Sequence, residues 1–300
     1  MKKLSLPKIH FITTVALMTA LAVFILGSPV NSAEKEVRLA VTDVEGLEML
    51  QREFGAFRDL LSKYSGYQVK FFPVPNRTAA VEAVKSKKVD MILTGPAEYV
   101  VFKKLTETTP IIGFSRPDYY CSIVVLADSG VNNIKDIIGK KIAIGSVGST
   151  SKHLAPMQII ADNGLNPTKD IEVVHTSVDL GWQALKRGDV AAWGMTTDKF
   201  LKLRKKDKDL PPGAFKVIAR GPDLPNDVLL AAAHVDKETI ETIRQVFVKH
   251  SDELVSAILT GDDNQKYAGM KFISTVKDSD YDYVRSMYST AGYPQFDKFL

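Results

Sequence analysis

The sequence predicts an α/β protein of two lobes, each a mainly parallel sheet flanked by helices, with two strands crossing between the lobes. Short apolar runs alternate with longer amphipathic runs from residue 37 onward, which is the pattern of repeated strand–helix units. The alternation stops twice, at extended runs that no helix follows directly. The chain has 300 residues, of which 45% are apolar and 25% charged, and this is enough for one large or two medium domains.

The first half of the chain contains three strand–helix units and then a strand that stands alone. The predicted strands are VRLAVT, QVKFFPV and VDMILTG, and the helices after them are LEMLQREFGAFRDLLSKYSG, RTAAVEAVKSKK and PAEYVVFKKL. The next run, YYCSIVVLA, is long and β-rich, but a turn-rich stretch follows it. We therefore predict that this strand makes the first crossing between the lobes.

The second half repeats the pattern and ends in helices. Its strands are IAIGS, IEVVHT and VAAWGM, and the helices after them are SKHLAPMQIIADNG, VDLGWQALKRG and TTDKFLKLRKK. The run FKVIARGPDLPNDVLLAA makes the second crossing, and the remainder is mainly helical. We predict a discontinuous first lobe, residues 34–121 plus 227–300, and a second lobe, residues 122–226.

The first 33 residues have the order of a secretory signal peptide. Lys2, Lys3 and Lys8 precede the apolar stretch FITTVALMTALAVFIL, which small, polar and then charged residues follow. We expect cleavage after Ala33 and a periplasmic mature protein. The alternative is an uncleaved membrane anchor, for which this apolar stretch is slightly short.

Removal of the signal peptide also changes the charge of the chain. The signal carries three lysines and no acid, so the formal net charge of +4 becomes about +1 (4 − 3). This small charge does not favour nucleic-acid binding. Cys121 is the only cysteine in the sequence, so the mature chain has no internal disulfide, and its mid-chain position excludes a lipidated N-terminus.

Hydrogen-bond donors cluster where the strand IAIGS meets its helix. In α/β sheets, ligands bind beyond the carboxyl ends of the strands. The segment GSVGSTS offers backbone N–H groups, two glycines, the positive end of a helix dipole and the hydroxyls of Ser149, Thr150 and Ser151. Such a loop suits a tetrahedral or carboxylate oxyanion. Pro156 should make the following helix bend or begin irregularly.

Other strand–helix junctions carry similar groups. Thr94 and Gly95 precede a helix whose free N–H groups would form a second anion-facing end, and Arg77 begins another helix, where a guanidinium can make paired bonds to an oxyanion. Acidic and hydroxyl residues occupy two more junctions: Asp43, Glu45, Thr196, Thr197 and Asp198. Each residue alone is explained by helix capping or surface exposure. Their convergence on one edge favours a cleft that binds an anion.

Catalytic motifs are missing from the sequence. There is no G-x-S-x-G elbow, P-loop, G-x-G-x-x-G or metal-spaced set of His and Cys, and the five histidines are scattered. A binding protein is therefore favoured over an enzyme, and we expect no metal or cofactor.

The sequence resembles the substrate-binding proteins of phosphate, phosphite and phosphonate ABC importers. The resemblance rests mainly on GSVGSTSKHLAPMQIIADNGLNP, with support from KVDMILTGPAEYV, DYYCSIVVL and LKRGDVAAWGMTTDKF. It implies a type II periplasmic binding fold, a monomer, a small anionic ligand held by closure of two lobes, and an ABC permease as partner. The alternatives are a ligand-sensing module for a membrane signalling protein and a binder of another small anion.

The resemblance also implies a set of ligand-binding residues. In the family, the Ser-Thr-Ser hydroxyls and adjacent amides hold the phosphonate or phosphate oxygens. The full predicted set is Ser149, Thr150, Ser151, Arg77, Thr94, Gly95, Tyr120, Asp198 and Asp227. Family members often have tyrosine where Arg77 and Thr94 stand and histidine where Val178 stands. The choice among phosphate, phosphite and phosphonate therefore stays open.

Overall fold

The computed structural model describes residues 35–297, and the predicted signal peptide lies outside them. The described strands are β1 (Glu36–Val41), β2 (Gln68–Phe71), β3 (Met91–Thr94), β4 (Thr109–Phe114), β5 (Tyr120–Leu126), β6 (Lys141–Ile144), β7 (Glu172–His175), β8 (Ala192–Thr196), β9 (Phe215–Asp223), β10 (Asp227–Ala231) and β11 (Phe272–Ile273). The α-helices are α1 (Leu47–Ser65), α2 (Arg77–Lys85), α3 (Pro96–Leu105), α4 (Ala155–Asp162), α5 (Val178–Arg187), α6 (Thr197–Lys206), α7 (Lys237–Lys249), α8 (Ser251–Ile258) and α9 (Asp282–Thr290).

The strands form two sheets. The first has the order β11-β4-β10-β3-β1-β2, and in it β1 pairs in parallel with β2 and β3 while β10 and β11 run antiparallel to their neighbours. The second has the order β7-β6-β8-β5-β9, with β6 parallel to β7 and β8 and β5 antiparallel to β8 and β9.

The chain passes between the sheets twice, after β4 and after β9. These passages confirm the predicted α/β architecture with two crossings. The sheets are mixed rather than mainly parallel, because β5 and β10, the strands that follow each passage, run against the strands they pair with. The predicted lobe limits, residues 34–121 plus 227–300 and residues 122–226, stay a prediction.

Alternation along the strands supplies apolar side chains to both faces of each sheet. In β10, Val228 and Leu230 belong to a core that extends between the two sheets, whereas Leu229 and Ala231 join the core under α1, α7 and α8. A third core, built around Trp182 and Trp193, covers the outer face of the second sheet. The first of these cores therefore contains side chains of both sheets, such as Leu230 and Ile142.

The C-terminal helix α9 contacts helices that follow strands of both sheets. The phenol of Tyr288 donates to the carbonyl of Ala97 in α3 over 3.1 Å. The hydroxyl of Thr290 donates to Gln158 Oε1 in α4 over 2.6 Å. Helix α9 thereby connects the two halves of the fold. Across residues 35–297, no helix combines the length and apolar character that a membrane crossing requires.

Candidate functional site

A polar cavity of about 300 Å³ lies beside the residues that follow β1, β3, β6 and β8. These strands come from both sheets, and their carboxyl ends open on the same space. The connection between β4 and β5 closes one side of the cavity. The convergence of donor-rich junctions that the sequence predicts is therefore present in the structure.

The loop after β6 is shaped by Pro156. Proline has no N–H, so the carbonyl of Lys152 loses its helical donor and instead accepts from the N–H of Gly145 over 2.6 Å. The helix begins with a π-turn, Thr150–Leu154, which confirms the predicted irregular start. A Cβ at Gly145 would lie 2.5 Å from Lys152 Cβ, so only glycine permits this close return of the loop.

The same proline fixes the helix against the sheet. A Cβ at Gly194 in β8 would lie 2.5 Å from Pro156 Cβ and 2.7 Å from its Cγ. Glycine in the middle of a strand marks such a close approach. The contact sets the distance between β8 and the start of α4, and thereby the position of the loop.

Two histidines form hydrogen bonds to the backbone of the loop. His153 Nδ1 accepts from the N–H of Gly148 over 3.1 Å, and His175 Nδ1 donates to the carbonyl of Gly145 over 2.7 Å. Burial, with a further contribution from His175, lowers the pKa of His153 to about 4. His153 is therefore neutral at ordinary pH, as its role as an acceptor at Nδ1 requires.

The three hydroxyls of the loop are all buried, but they have different surroundings. Thr150 Oγ1 accepts from the N–H of Ala97, at the start of α3, over 2.9 Å. Ser149 precedes the π-turn without capping it through its side chain, and Ser151 is a hydrogen-bond partner of the Tyr119 phenol. Thr150 thus joins the second sheet's loop to the first sheet's helix.

This bond corrects one expectation in part. The sequence predicts free N–H groups at the start of α3, yet Ala97 N–H is occupied by Thr150 and Pro96 has none to offer. The N–H of Glu98 has no acceptor within residues 35–297. The carboxylate of Glu98 lies close to this helix start, because a Cβ at Gly95 would be 2.9 Å from its Oε2.

Free donors remain at the π-turn. Within residues 35–297, the backbone N–H groups of Thr150, Ser151 and Lys152 have no hydrogen-bond acceptor. They belong to the first turn of a helix, where N–H groups lack intrahelical partners and carry the positive end of the dipole. With the hydroxyl of Ser149 they form a donor set suited to an oxyanion.

Charged side chains line the rest of the cavity, and several neutralise one another. Arg77 pairs with Glu98 through Nε and with Asp43 through Nη2, the latter over 3.1 Å. Lys266 Nζ lies 3.7 Å from the other oxygen of Asp43. Burial would raise the pKa of Asp43, but Lys266, Arg77 and Arg116 together hold it below its usual value.

Lys152 and Lys199 have no ion-pair partner in the described part of the chain. Both line the cavity. Burial lowers the pKa of Lys152, and the nearby charges of Arg77, Lys199 and Lys266 lower it further, while Asp43 opposes the shift. These two ammonium groups are the cations that an incoming anion can neutralise.

The structure brings six of the nine predicted residues to the cavity wall: Ser149, Thr150, Ser151, Arg77, Gly95 and Asp198. Thr94 is buried beside it, sharing a 2.9 Å hydrogen bond with Thr42. Tyr120 points elsewhere, with its ring 3.6 Å from the Arg220 guanidinium, and Tyr119 takes the place at the cavity. The ligand-binding role of each residue stays a prediction.

Asp227 is the third predicted residue outside the cavity lining. Its side chain is 3% exposed, and one of its oxygens accepts from the Tyr267 phenol over 2.5 Å. The other oxygen, Oδ1, lies 3.7 Å from Arg116 Nη1. Asp227 therefore faces a cation of the protein rather than open cavity.

Several lining residues were missed from the sequence. Among them are Arg116, Tyr119, Lys152, Lys199, Asp263 and Lys266. Lys152 and Lys199 directly follow predicted site residues, which is a signal that could have found them. Arg116 lies in the connection between the sheets and Lys266 in a short 3₁₀ turn, Asp263–Tyr267, and no motif marks either position.

Among residues 35–297, no group of three or more His, Cys, Asp or Glu side chains is arranged to hold a metal ion.

Comparison with known proteins decides the family. Residues 39–281 match the family described as ABC transporter, phosphonate, periplasmic substrate-binding protein. The chain belongs to this family. Periplasmic substrate-binding proteins are components of transport systems. The match over residues 39–281 confirms the family predicted from the sequence.

Relatives of known name are distant from this chain in sequence. The chain is 26% identical over 282 residues to the phosphate-import protein PhnD of Mycolicibacterium smegmatis, covering 85% of this chain and 86% of that protein. It is 22% identical over 256 residues to the phosphonates-binding periplasmic protein of Escherichia coli, covering 80% and 74%.

Solved structures show that the fold is shared. PhnD1 of Prochlorococcus marinus in complex with methylphosphonate superposes with a TM-score of 0.65 at 16% identity, covering 87% of this chain and 99% of that one. The two-lobed type II periplasmic binding fold predicted from the sequence is confirmed.

Proposed function

We propose that this protein captures a small phosphorus oxyanion (phosphate, phosphite or a phosphonate) outside the cytoplasmic membrane and delivers it to an ABC permease. The observation that carries the proposal is the set of unsatisfied N–H groups at Thr150, Ser151 and Lys152 beside the hydroxyl of Ser149. A tetrahedral oxyanion matches this set because several oxygens can accept at once.

The charges of the cavity support the same ligand class. Lys152 and Lys199, which have no ion-pair partner within residues 35–297, offset negative charge on the ligand, and Asp198 offers an acceptor for a protonated ligand oxygen. Phosphate, and the monoanions of phosphite and of phosphonates, carry both negative charge and a P–OH group. Sulfate has no proton to give, so it serves as the control anion of similar shape.

Relatives add support to the ligand class. The protein of Mycolicibacterium smegmatis is named for phosphate import, and the structure from Prochlorococcus marinus holds methylphosphonate. We further propose that the mature protein is a periplasmic monomer, that it has no catalytic activity toward its ligand, and that its lobes are residues 34–121 plus 227–300 and 122–226. Binding closes these lobes, and the connections after β4 and β9 act as the hinge.

Calorimetric titration with phosphate, phosphite, methylphosphonate and 2-aminoethylphosphonate tests the proposal, with sulfate as the control. We expect at least one phosphorus oxyanion to bind much more tightly than sulfate and to be released unchanged. Absence of binding to all four would refute the ligand class.

A matched pair of variants locates the site. Ser149→Ala removes one hydroxyl donor to a charged ligand, which is worth about 1.5–3 kcal/mol, or roughly ten- to hundredfold in affinity. Ser129→Ala changes an exposed serine whose hydroxyl donates to the carbonyl of Leu126, and it should leave affinity unchanged. Equal affinities of the two variants would place the ligand elsewhere.

A further inference from the structure

We propose that Arg116 determines which phosphorus oxyanions bind, because its fixed charge at the cavity wall excludes phosphonates that carry an ammonium group. The inference rests on the proposed function and specifies its substrate class as oxyanions without a cationic substituent. Three observations carry it: the side chain of Arg116 is largely buried, the carboxylate of Asp227 is its partner, and Arg116 Nε and Asp227 Oδ1 have no hydrogen-bond partner within the described residues.

Arg116 is held where the two connections between the sheets meet. Its backbone N–H donates to Asn226 Oδ1, in the second connection, over 3.0 Å. Its side chain is only 10% exposed, and its guanidinium carbon lies 3.5 Å from the centre of the Tyr119 ring. Stacking and burial restrict the guanidinium to one position, from which it lines the cavity.

The carboxylate of Asp227 is the partner of this cation. Arg116 Nη1 lies 3.7 Å from Asp227 Oδ1, which is a charge contact but too long for a hydrogen bond. Within the described residues, neither Arg116 Nε nor Asp227 Oδ1 has a hydrogen-bond partner. A buried carboxylate needs a compensating cation. Here the protein supplies it, so no cationic group of the ligand is required.

The other charges around the cavity reinforce this arrangement. Asp198 also attracts Arg116, while Asp43 and Glu98 are paired with Arg77. Burial opposes the charge of Arg116, but Asp227, Tyr119, Tyr267 and Asp198 together outweigh burial and raise the pKa of Arg116. The remaining acids of the lining, Glu45 and Asp263, are exposed, where water screens them.

The buried Asp227 already faces Arg116, and Asp198, a half-buried acid of the lining without an ion-pair partner among the described residues, is also attracted to Arg116. A ligand ammonium would meet Arg116 together with Lys152 and Lys199, neither of which has an ion-pair partner within residues 35–297. Repulsion between like charges at short range in a partly desolvated site amounts to a factor of ten or more in affinity. An uncharged alkyl group of the same size meets no such repulsion.

The test compares 2-aminoethylphosphonate with propylphosphonate, which has the same number of heavy atoms but ends in a methyl group. By calorimetry, the unmodified protein should bind propylphosphonate at least about tenfold more tightly. Arg116→Met should remove or reverse this preference. Because Arg116→Met leaves Asp227 buried without its cation, the double variant Arg116→Met/Asp227→Asn provides a reference without this ion pair, in which the preference for propylphosphonate should fall by at least about threefold although Lys152 and Lys199 remain.

Arg220→Met is the matched control. Arg220 also stacks on a tyrosine, Tyr120, and pairs with an aspartate, but it lies outside the cavity lining, so this variant should keep the full preference. Equal or tighter binding of 2-aminoethylphosphonate by the unmodified protein would overturn the role of Arg116, as would an unchanged preference in the double variant. If neither phosphonate nor phosphate binds, the proposed function fails and this inference fails with it.

Discussion

Replacing Thr150 with valine should weaken ligand binding by removing a hydrogen bond between the two halves of the fold. Thr150 Oγ1 accepts from the N–H of Ala97 over 2.9 Å. Thr150 is 4% exposed and Ala97 is fully buried, so water cannot replace the lost acceptor while the lobes stay together. Valine keeps the shape of threonine and substitutes a methyl group for the hydroxyl.

The size of the effect follows from this geometry. A buried N–H without an acceptor costs about 1–3 kcal/mol, and loss of a helix N-cap costs about 0.5–2 kcal/mol. A value of about 2 kcal/mol corresponds to roughly thirtyfold in the equilibrium between closed and open forms. The cost falls on the closed form alone, because Ala97 N–H meets water once the lobes separate. Thr150→Ser keeps the oxygen and should stay within about threefold of the unmodified protein.

Two measurements separate this contact from a direct bond between Thr150 and the ligand. Calorimetric titration with phosphate gives the affinity, and small-angle X-ray scattering at saturating phosphate gives the radius of gyration. A contact between lobes predicts that Thr150→Val stays more open than Thr150→Ser even when both variants are saturated with phosphate. Equal affinities for the two variants, or equal radii of gyration, would refute the reasoning.

Two further predictions concern the support of the loop. Because the pKa of His153 is about 4 in the folded protein and about 6.5 in an unfolded chain, the unfolded state binds the extra proton between these values. The free energy of unfolding should then fall as the pH falls from 6.5 to 4, by up to about 1.4 kcal/mol per unit from this group. In urea unfolding at pH 7.5 and 5, His153→Asn should lose less stability than the unmodified protein; parallel losses would contradict the assignment. Gly194→Ala should cost about 1–3 kcal/mol, because the new Cβ would lie 2.5 Å from the rigid ring of Pro156. Its control is Gly55→Ala within α1, where the nearest atom is 3.8 Å away, and equal thermal midpoints of the two variants would contradict the packing argument.

The sequence predicts the edge where the site lies because that edge follows from local patterns. Strand and helix periodicities are visible within a dozen residues, and parallel strands bring their carboxyl ends to one side. Ser149 and Asp198 follow β6 and β8, which are parallel neighbours. Their meeting at one cavity could therefore be expected without knowing the rest of the fold.

The parts that could not be predicted depend on pairing between distant segments. β5 begins at Tyr120, and only the register of the folded strand decides that Tyr119, rather than Tyr120, reaches the cavity. Arg116 and Asp227 are more than a hundred residues apart and meet only because the two connections lie side by side. Capping of α3 by Thr150 likewise requires the two sheets to be placed against each other.

The charges left over in the cavity give a physical reason for coupling between binding and closure. Lys152 and Lys199 follow strands of the second sheet, whereas Arg77 follows a strand of the first. The charges of Arg77 and Lys199 contribute to the lowered pKa of Lys152. Bringing the sheets together therefore brings like charges together, which opposes closure when the cavity holds only water. An anion among these cations reverses the sign of the interaction. Because a ligand shifts an equilibrium only through its differential affinity for the two states, this reversal favours the closed form specifically when the anion is present. The hydrogen bond from Ala97 N–H to Thr150 Oγ1 then also stabilises the closed form, whose charges the ligand balances.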